Sequence, residues 1–236
     1  MSKKIYVGVN NIAKNVNKMY VGVNNVAKKV LKGYVGVNGV AKEFFRYYTP
    51  LNYIESSGVE RIDTGFKPNN NTSVEISMEI PSFRAGGNTR LFETRNATSG
   101  FSGSLGIFSL DDSNKQFQYR YNMRQIFNNQ QLATETRYKI STDKEKIYIN
   151  DTLLGSATIS TFTCNYNLVI FALNDPNGIN SSTADIYRLF YFKIYDNGTL
   201  IRDFIPVLDQ EGTPCLYDKV ENKFYYNSGT GTFIYN

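Results

Sequence analysis

Residues 73–80 read SVEISMEI, and apolar side chains occupy every second position: Val74, Ile76, Met78 and Ile80. The positions between them carry serine or glutamate. A strict period of two predicts a β-strand with one face in a hydrophobic core and the other in solvent. The stretch therefore predicts an antiparallel sheet with one covered face.

Short strand patterns continue on both sides of this stretch, separated by turn signals every 8 to 12 residues or so. Two hairpins are predicted, one turning at Asn150-Asp151 and the other around Asp196-Asn197-Gly198. In the strand before the second turn, alternation predicts that Phe190, Phe192 and Ile194 face the core. The pattern predicts about a dozen strands, without a convincing helix, arranged as a β-sandwich or jelly roll.

The composition of the 236 residues agrees with a strand-rich core, since the chain has 18 Tyr and 16 Phe and no Trp. The net charge of +5 is uneven: residues 1–46 carry nine Lys or Arg and one Glu. These lysines recur with a repeat and no nucleic-acid-reading motif accompanies them, so we expect no nucleic acid partner. We also expect no membrane insertion and no signal peptide, because no long apolar stretch is present.

The first 46 residues contain three copies of one phrase with a period of 14, and the copies begin at Lys4, Lys18 and Lys32. Each copy holds YVGVN followed by Asn or Gly, which is a two-residue turn signal. We therefore predict five-residue strands and two-residue turns in one continuous meander. The open alternative is a strand followed by a short helical turn in each copy, since Asn17-Lys18 and Leu31-Lys32 are poor turn sequences.

Alternation around such turns places the apolar residues of the copies on one face. The predicted oligomerisation positions are Val7, Val9, Ile12, Val21, Val23, Val26, Val35, Val37 and Val40. A short repeat cannot cover its own apolar face, so it must pack on a neighbour or on copies of itself. We expect residues 1–46 to be an oligomerisation and attachment stem, most simply of a homotrimer, and residues 47–236 to be a β-sandwich head.

Four stretches carry a resemblance to a known family: YIESSGVERIDTGFKPNNNTSVEI (residues 53–76), YFKIYDNGTLIRDFIPV (191–207), LYDKVENKFYYNSGTGTFI (216–234) and YVGVNNVAKKV (20–30). The first three resemble concanavalin A-like, or laminin G-like, jelly-roll domains of phage and prophage tail proteins and of gut bacterial surface proteins. The fourth resembles the N-terminal repeats of phage minor tail or fibre proteins. The resemblance covers nearly the whole chain.

The resemblance implies a trimeric virion appendage whose lectin-like head contacts a cell-surface polysaccharide and whose N-terminal segment contacts other virion proteins. It implies a location in the virion after synthesis in the host cytoplasm. Two alternatives remain open, a structural tail or capsid decoration that binds no sugar, and a bacterial surface adhesin.

Catalytic chemistry is not expected, because the chain has no His and therefore lacks the commonest general base and metal ligand. Glycosidases of the resembled fold carry a Glu-x-Asp-x-x-Glu strand, which this chain lacks. The nearest carboxylates, Glu75 and Glu79, lie roughly 13 Å apart along a strand and read as solvated residues. Cys164 and Cys215 are predicted to be reduced, partly buried thiols rather than a disulfide.

Loops held by a rigid sandwich often carry ligand-binding residues, and the sequence offers two candidates. The loop at residues 174–185 concentrates oxygen donors: Asn174, Asp175 and Asn177 for sugar hydroxyls, and Asp175 with Asp185 as candidates for Ca²⁺, the only cofactor considered. The alternative for this loop is ordinary turn chemistry.

The second candidate is the YRYNMR stretch, where Tyr119 and Tyr121 would offer ring faces and Arg124 a guanidinium to a saccharide or an acidic polymer. The alternative is that these tyrosines line the core.

Overall fold

The computed structural model describes residues 6–9, 12–15, 19–23, 26–30, 32–37, 40–46, 48–83, 89–109, 116–180 and 186–236, and strands are distributed along all but the shortest connecting parts of these ranges. Within these ranges the structure contains strands, turns and irregular segments but no helix. The described residues accordingly include no helix of the length and hydrophobicity needed to cross a bilayer. The all-β class predicted from the sequence is confirmed.

The chain divides into two compact units, Met1–Pro50 with Leu208–Thr213, and Leu51–Val207 with Pro214–Asn236. The strands of the first unit are β1 (Tyr6–Val9), β2 (Ile12–Asn15), β3 (Met19–Val23), β4 (Val26–Val30), β5 (Lys32–Val37), β6 (Val40–Arg46) and β7 (Thr49–Pro50).

Each copy of the 14-residue phrase forms its own hairpin. The cross-strand partners of the three hairpins are equivalent: Val7↔Lys14, Gly8↔Ala13 and Val9↔Ile12 in the first, Val21↔Lys28, Gly22↔Ala27 and Val23↔Val26 in the second, and Val35↔Lys42, Gly36↔Ala41 and Val37↔Val40 in the third. This register leaves two residues between the two strands of each copy, as predicted. The side chains of the predicted oligomerisation positions lie outside the described part of the structure.

The continuous meander is wrong as a description of these repeats. In the described part of the chain, β1–β2, β3–β4 and β5–β6 are separate two-stranded sheets, and no pair joins one copy to the next. The helical alternative is also wrong for the described residues, since the second half of each copy is a strand. Asn10-Asn11, Asn24-Asn25 and Asn38-Gly39, the residue pairs between the paired strands, are of the types that two-residue hairpin turns need, whereas Asn17-Lys18 and Leu31-Lys32 are not.

The second unit is a sandwich of two sheets, which confirms the predicted β-sandwich fold. The larger sheet contains β17 (Thr152–Ser156), β16 (Lys146–Ile149), β15 (Arg137–Asp143), β10 (Thr72–Glu79), β21 (Arg188–Asp196), β22 (Thr199–Leu208), β23 (Pro214–Asp218) and β24 (Lys223–Tyr225) in that order, and β8 (Ile54–Glu55) pairs with both β21 and β25 (Ile234–Tyr235).

The smaller sheet contains β14 (Arg124–Gln131), β13 (Gln116–Tyr121), β12 (Leu105–Ser109), β11 (Thr89–Thr94), β18 (Val169–Ile170) and β9 (Ile62–Asp63) in that order, with β19 (Leu173–Asp175) between β11 and β20 (Gly178–Asn180). The β11–β19 pair is parallel, whereas the other pairs of this sheet are antiparallel.

The core lies between the inner faces of the two sheets. Val74, Ile76 and Met78 of β10 are at most 1% exposed, as the alternation of SVEISMEI predicts. Phe92 of the smaller sheet contacts Phe192 of the larger sheet edge to face, with 5.1 Å between ring centroids. Burial of such large aromatic side chains is the main stabilising contribution in a sandwich of this size.

Both predicted hairpin turns of the head are present. Asn150 and Asp151 have φ of 47° and 65°, and Asn197 and Gly198 have φ of 48° and 77°. Two consecutive positive φ values are those of a type I′ turn, which favours Asn, Asp and Gly.

The two cysteines are buried and unbridged, as predicted. The thiol of Cys164 donates a hydrogen bond to the Gly103 carbonyl oxygen, and burial raises the pKa of this thiol to about 12.

The segment before β9 and the segment after β24 hold each other in place. The Ser228 N–H donates to the Arg61 carbonyl, and the Arg61 N–H donates to Asn227 Oδ1, at 2.9 and 3.0 Å. Gly229 lies so close to the Val59 carbonyl oxygen that a Cβ at this position would overlap it. The ERID segment (residues 60–63) and the YNSGTG segment (residues 226–231) therefore pack against each other, although they lie near opposite ends of the sandwich sequence.

Candidate functional site

The two predicted ligand-binding tyrosines belong to the core, so the interpretation of them as an exposed binding surface is wrong. Tyr119 and Tyr121 are 0% and 1% exposed, and the Tyr121 ring contacts Phe162 edge to face. The Tyr119 hydroxyl donates to the Lys144 carbonyl at 2.5 Å, which satisfies its polar atom inside the sandwich. The alternative, that these side chains line the core, is the one that the structure shows.

We expect burial of Tyr119 to produce a loss of stability at alkaline pH. Burial raises the pKa of this phenol well above its ordinary value, so the folded protein holds the proton after the unfolded chain has released it. The stabilisation of the folded state that comes from this difference in pKa is fully present below about pH 10. As pH rises above this value the stabilisation is lost, by at most about 1.4 kcal/mol per pH unit.

The measurement is urea unfolding at a series of pH values from 8 to 11 or so. Tyr119→Phe should lower the free energy of unfolding by about 1 kcal/mol at pH 8, because one hydrogen bond is lost. Above pH 10 or so, the free energy of unfolding of this variant should fall less steeply with pH than that of the parent protein. Tyr235→Phe, at an exposed phenol, is the control and should follow the parent protein. Equal slopes for Tyr119→Phe and the parent would contradict the prediction.

Arg124 lies at the end of the β13–β14 hairpin and is exposed. It pairs across the strands with Tyr121, whose ring points into the core, so the structure does not place Arg124 and the tyrosine rings on one surface.

The loop that begins at Asn174 shows ordinary turn chemistry, which was the alternative to ligand binding. Asp175 is 1% exposed, and its Oδ2 accepts hydrogen bonds from Arg95 Nη2 and Nε at 2.7 and 3.2 Å. The other carboxylate oxygen accepts the N–H of the exposed Asn177 at 2.9 Å, and Asn174 is buried with its amide donating to the Asn167 carbonyl. Arg95 therefore occupies the place that a bound cation would take.

The calcium hypothesis has no further support in this loop. Asp185, the second candidate ligand, lies outside the described residues. Across the ranges that the structure describes, no three acidic, cysteine or histidine side chains are grouped as a metal site would require.

Glu75 and Glu79 lie on the outer face of the larger sheet, as predicted, and both form ion pairs there. Glu75 Oε1 accepts a hydrogen bond from Lys193 Nζ at 2.9 Å, and Lys139 Nζ lies 3.9 Å from its other oxygen. Glu79 Oε1 accepts from Arg188 at 2.5 Å. Their interpretation as surface residues of the sheet agrees with these contacts.

The prediction that Phe190 faces the core is wrong, and the reason is a β-bulge. Ser77 pairs with Tyr191 whereas Met78 pairs with Leu189, so one extra residue, Phe190, stands on β21 opposite this step. Leu189 and Phe192 remain fully buried, while Phe190 is half-buried on the outer face. A bulge of this kind redirects a side chain to the other face of a sheet, and bulges are frequent beside functional sites.

Aromatic rings and guanidinium groups meet at this bulge. The Arg137 guanidinium carbon lies 3.9 Å from the Phe190 ring centroid, and Arg137 Nε donates to Ser77 Oγ at 2.8 Å. Tyr53 approaches Phe190 edge to face at 5.8 Å, and Arg188 lies 5.2 Å from the Tyr53 ring centroid. We call Tyr53, Arg137, Arg188 and Phe190 the Phe190 surface.

Three carboxylates surround Arg188 at the margin of the Phe190 surface. Arg188 donates to Glu55, Glu79 and Glu135 at 2.8, 2.5 and 3.1 Å. Hydrogen bonding to Glu55, and then to Glu79 and Glu135, raises the pKa of this guanidinium above its ordinary value. The Phe190 surface thus combines a partly exposed ring, two fixed guanidinium groups and several carboxylate oxygens.

A second polar cluster lies on the smaller sheet, on the face opposite the core. The row Glu93, Gly106 and Arg120 crosses three strands, and Arg120 donates to Glu93 Oε1. The Arg120 guanidinium carbon lies 4.2 Å from the Phe101 ring centroid, and Arg90 Nε lies 3.7 Å from Glu93 Oε2. We call these residues the Glu93 cluster.

Space for the buried carboxylate of the Glu93 cluster depends on Gly106, because a Cβ there would lie 2.7 Å from Glu93 Cγ. The Glu93 side chain is only 1% exposed. A ligand cannot reach this carboxylate without displacing its neighbours, so the cluster serves as a structural ion pair.

Sequence reasoning missed both of these features. The signal for the Glu93 cluster is present in RLFETR, where three charged residues interrupt a strand that otherwise reads as buried. The signal for the Phe190 surface is the run RLFYFKIY, in which Leu189, Phe190, Tyr191 and Phe192 are consecutive large side chains that a simple alternation cannot place.

Comparison with known proteins adds a fold relationship. No family model matches the chain. No curated protein sequence matches it either. Among solved structures, the chain is similar to a candidate carbohydrate binding protein from Bacteroides ovatus ATCC 8483, with a TM-score of 0.53 and 12% sequence identity over 89% of this chain. This chain spans 66% of the length of that structure, and at this identity the likeness concerns the fold.

Proposed function

We propose that this protein is a non-enzymatic, lectin-like component of a phage tail or fibre, whose head recognises a glycan on the host surface. The observation that carries the proposal is the Phe190 surface, a ring that a bulge turns out of the core, with a guanidinium lying against it and carboxylates at its margin. The fold that this chain shares with a candidate carbohydrate binding protein supports the same choice.

The chemistry of the Phe190 surface suits a sugar. An aromatic ring packs against the apolar C–H face of a pyranose, and guanidinium and carboxylate groups bond to its hydroxyls. Arg137 and Arg188 are already positioned by Ser77 and by glutamates, so little rotamer entropy is lost when a ligand binds.

Hydrolysis is not part of the proposal. A glycosidase needs one protonated carboxyl to act as general acid and a second carboxylate across the scissile bond. Glu55 and Glu79 both accept hydrogen bonds from the same Arg188 guanidinium, so they lie on one side of it and do not face each other across an open cleft in which a scissile bond could lie.

The stem part of the proposal is a homotrimer that attaches to other virion proteins through residues 1–46. Three hairpins with one register support it, since an isolated two-stranded hairpin is marginally stable and needs a packing partner. The register pairs Val9 with Ile12 and Val7 with Lys14, and it supports the proposal that Val7, Val9 and Ile12 share one apolar face, with equivalent pairs in the other two hairpins.

The experiment is a glycan array probed with the full chain, followed by affinity measurements on the ligand that it identifies. Phe190→Ala should weaken binding by about tenfold, which corresponds to about 1.4 kcal/mol of stacking. Tyr195→Ala is the matched control, because Tyr195 is a half-buried aromatic on the same strand and the outer face of the same sheet. Its binding should equal that of the parent.

Three outcomes would contradict the proposal in different ways. Absence of binding to any array glycan would favour the structural decoration protein. Equal losses for Phe190→Ala and Tyr195→Ala would show that the Phe190 surface is not the site. Release of sugar product from an identified glycan would show that the protein is an enzyme.

A further inference from the structure

Phe190 and Tyr191 both lie on the outer face of the larger sheet, although consecutive residues of a strand ordinarily point to opposite faces. Leu189 and Phe192, on either side of them, are fully buried, whereas Phe190 and Tyr191 are half-buried. The cause is the bulge beside the Ser77–Tyr191 pair, which adds one residue to β21. Two consecutive aromatic side chains therefore share one face, where a regular strand would present only one of them.

Tyr191 is surrounded by groups of the same kinds as Phe190. Lys193 Nζ lies 4.9 Å from the Tyr191 ring centroid and donates a hydrogen bond to Glu75 Oε1 at 2.9 Å. Lys139 Nζ lies 3.9 Å from the other oxygen of Glu75. Burial, and then the Glu75 carboxylate, raises the pKa of Tyr191, so its hydroxyl stays protonated and can donate. We call Tyr191, Lys193, Lys139 and Glu75 the Tyr191 surface.

The Phe190 surface and the Tyr191 surface repeat along strand β10. Ser77 holds Arg137, the cation beside the first ring, and Glu75 holds Lys193, the cation beside the second. Ser77 and Glu75 are two residues apart on one face, which is roughly 7 Å along a strand. Ser77 also pairs across the strands with Tyr191, so the two surfaces are continuous. A ring and a cation repeated at this interval suit a ligand that itself repeats, as a chain of sugar rings does.

The charges of the combined surface are nearly balanced, with a small excess of negative charge. A negatively charged polymer would therefore meet like charges, which oppose binding. Sugar hydroxyls, in contrast, donate to carboxylates and accept from cations. The four cations are Arg137, Lys139, Arg188 and Lys193, and the five carboxylates that form ion pairs with the last three are those of Glu55, Glu75, Glu79, Glu135 and Asp151.

We infer that the Phe190 surface and the Tyr191 surface together hold two consecutive units of an uncharged glycan chain. This inference rests on the proposed function and adds the class of the ligand, which is a stretch of a neutral polysaccharide and not a single or an acidic sugar. Once the first unit is bound, the second is at high effective concentration beside its own ring. The cations are already held by the sheet, so little side-chain entropy is lost on binding.

The first test is the dependence of affinity on chain length, measured by titration calorimetry with the full chain. The probes are cello-oligosaccharides, chito-oligosaccharides and the oligosaccharides of any further neutral glycan that binds on the array, each as chains of one, two and four units. Two units should bind at least about tenfold more tightly than one. Equal affinities for one unit and two would overturn the inference.

The same titrations with oligogalacturonate test the charge of the ligand. This acidic polymer should bind at least about tenfold more weakly than the neutral chain that binds best. Tighter binding of oligogalacturonate than of the neutral chains, or an array on which only acidic glycans bind, would overturn the inference.

The third test uses two substitutions at Tyr191. Tyr191→Ala should lower the affinity for two units by about tenfold and leave the affinity for one unit unchanged, because Phe190 holds a single unit. The unchanged affinity for one unit also shows that the variant is folded. Tyr191→Phe keeps the ring and should stay within about threefold of the parent, and Tyr195→Ala is again the control. Equal losses from Tyr191→Ala for one unit and for two would overturn the inference.

The outcomes separate this inference from the proposed function. Phe190→Ala should weaken the binding of one unit and of two units alike. Sugar binding that depends on Phe190 but not on chain length would overturn the inference and leave the proposed function intact. Absence of binding to every array glycan and every probe would contradict the proposed function and this inference with it.

Discussion

Replacing Glu93 with alanine is expected to lower the free energy of unfolding by about 3–5 kcal/mol, the range for removing one partner of a buried ion pair. Glu93 is fully buried and accepts a hydrogen bond from Arg120, whose side chain is only 14% exposed. Without the carboxylate, the Arg120 charge loses its opposite charge in a region that water scarcely reaches. Thermal unfolding should shift by on the order of 10 °C.

Two further variants separate the ion pair from the other consequences of this change. Arg120→Ala combined with Glu93→Ala should cost clearly less than the sum of the single changes, because the double variant leaves no unpaired charge. Glu135→Ala is the control: its carboxylate also pairs with an arginine but is 63% exposed, so about 0.5 kcal/mol is expected. Strict additivity of the two cluster variants would contradict the interpretation of the Glu93 cluster.

Gly229→Ala is expected to destabilise the head by about 3 kcal/mol, because there is no room for the added methyl group. The overlapping atom is the Val59 carbonyl oxygen, which belongs to the backbone and cannot turn aside. The segments must separate to admit the Cβ, which would break the hydrogen bond from Ser228 to Arg61 and the one from Thr230 to Val59. Chemical unfolding at neutral pH measures the effect.

Gly198→Ala is the matched control for a Gly-to-Ala change. Gly198 has a positive φ of 77° and open space around the place of a Cβ, so the substitution there costs only backbone strain of about 1 kcal/mol. A loss for Gly229→Ala no larger than that for Gly198→Ala would show that the two motifs do not depend on their close approach.

Features encoded by neighbouring residues were predicted well from the sequence. The turns at Asn150-Asp151 and Asn197-Gly198 need two residues that tolerate positive φ, and the residue types alone indicate this. The strand 73–80 has its predicted buried face for the same reason, since alternation is a property of the strand itself. The register of each stem hairpin likewise follows from a two-residue turn.

Features that depend on a partner far away in sequence were not predicted. The bulge at Phe190 exists only in the pairing of β21 with β10, and the sequence of β21 alone permits either face. Asp175 was assigned to a ligand because its partner Arg95 is 80 residues away. Tyr119 and Tyr121 have polar tips that fit a surface or a core, and the choice depended on the partners of their hydroxyls.

The separate pairing of each N-terminal hairpin has an evolutionary consequence. In the described strands, every repeat pairs only within itself, so its register does not depend on how many repeats precede or follow it. Recombination between the near-identical copies can add or delete one unit in frame without misaligning the others. Related sequences should therefore differ in the number of these hairpins far more readily than in the architecture of the β-sandwich.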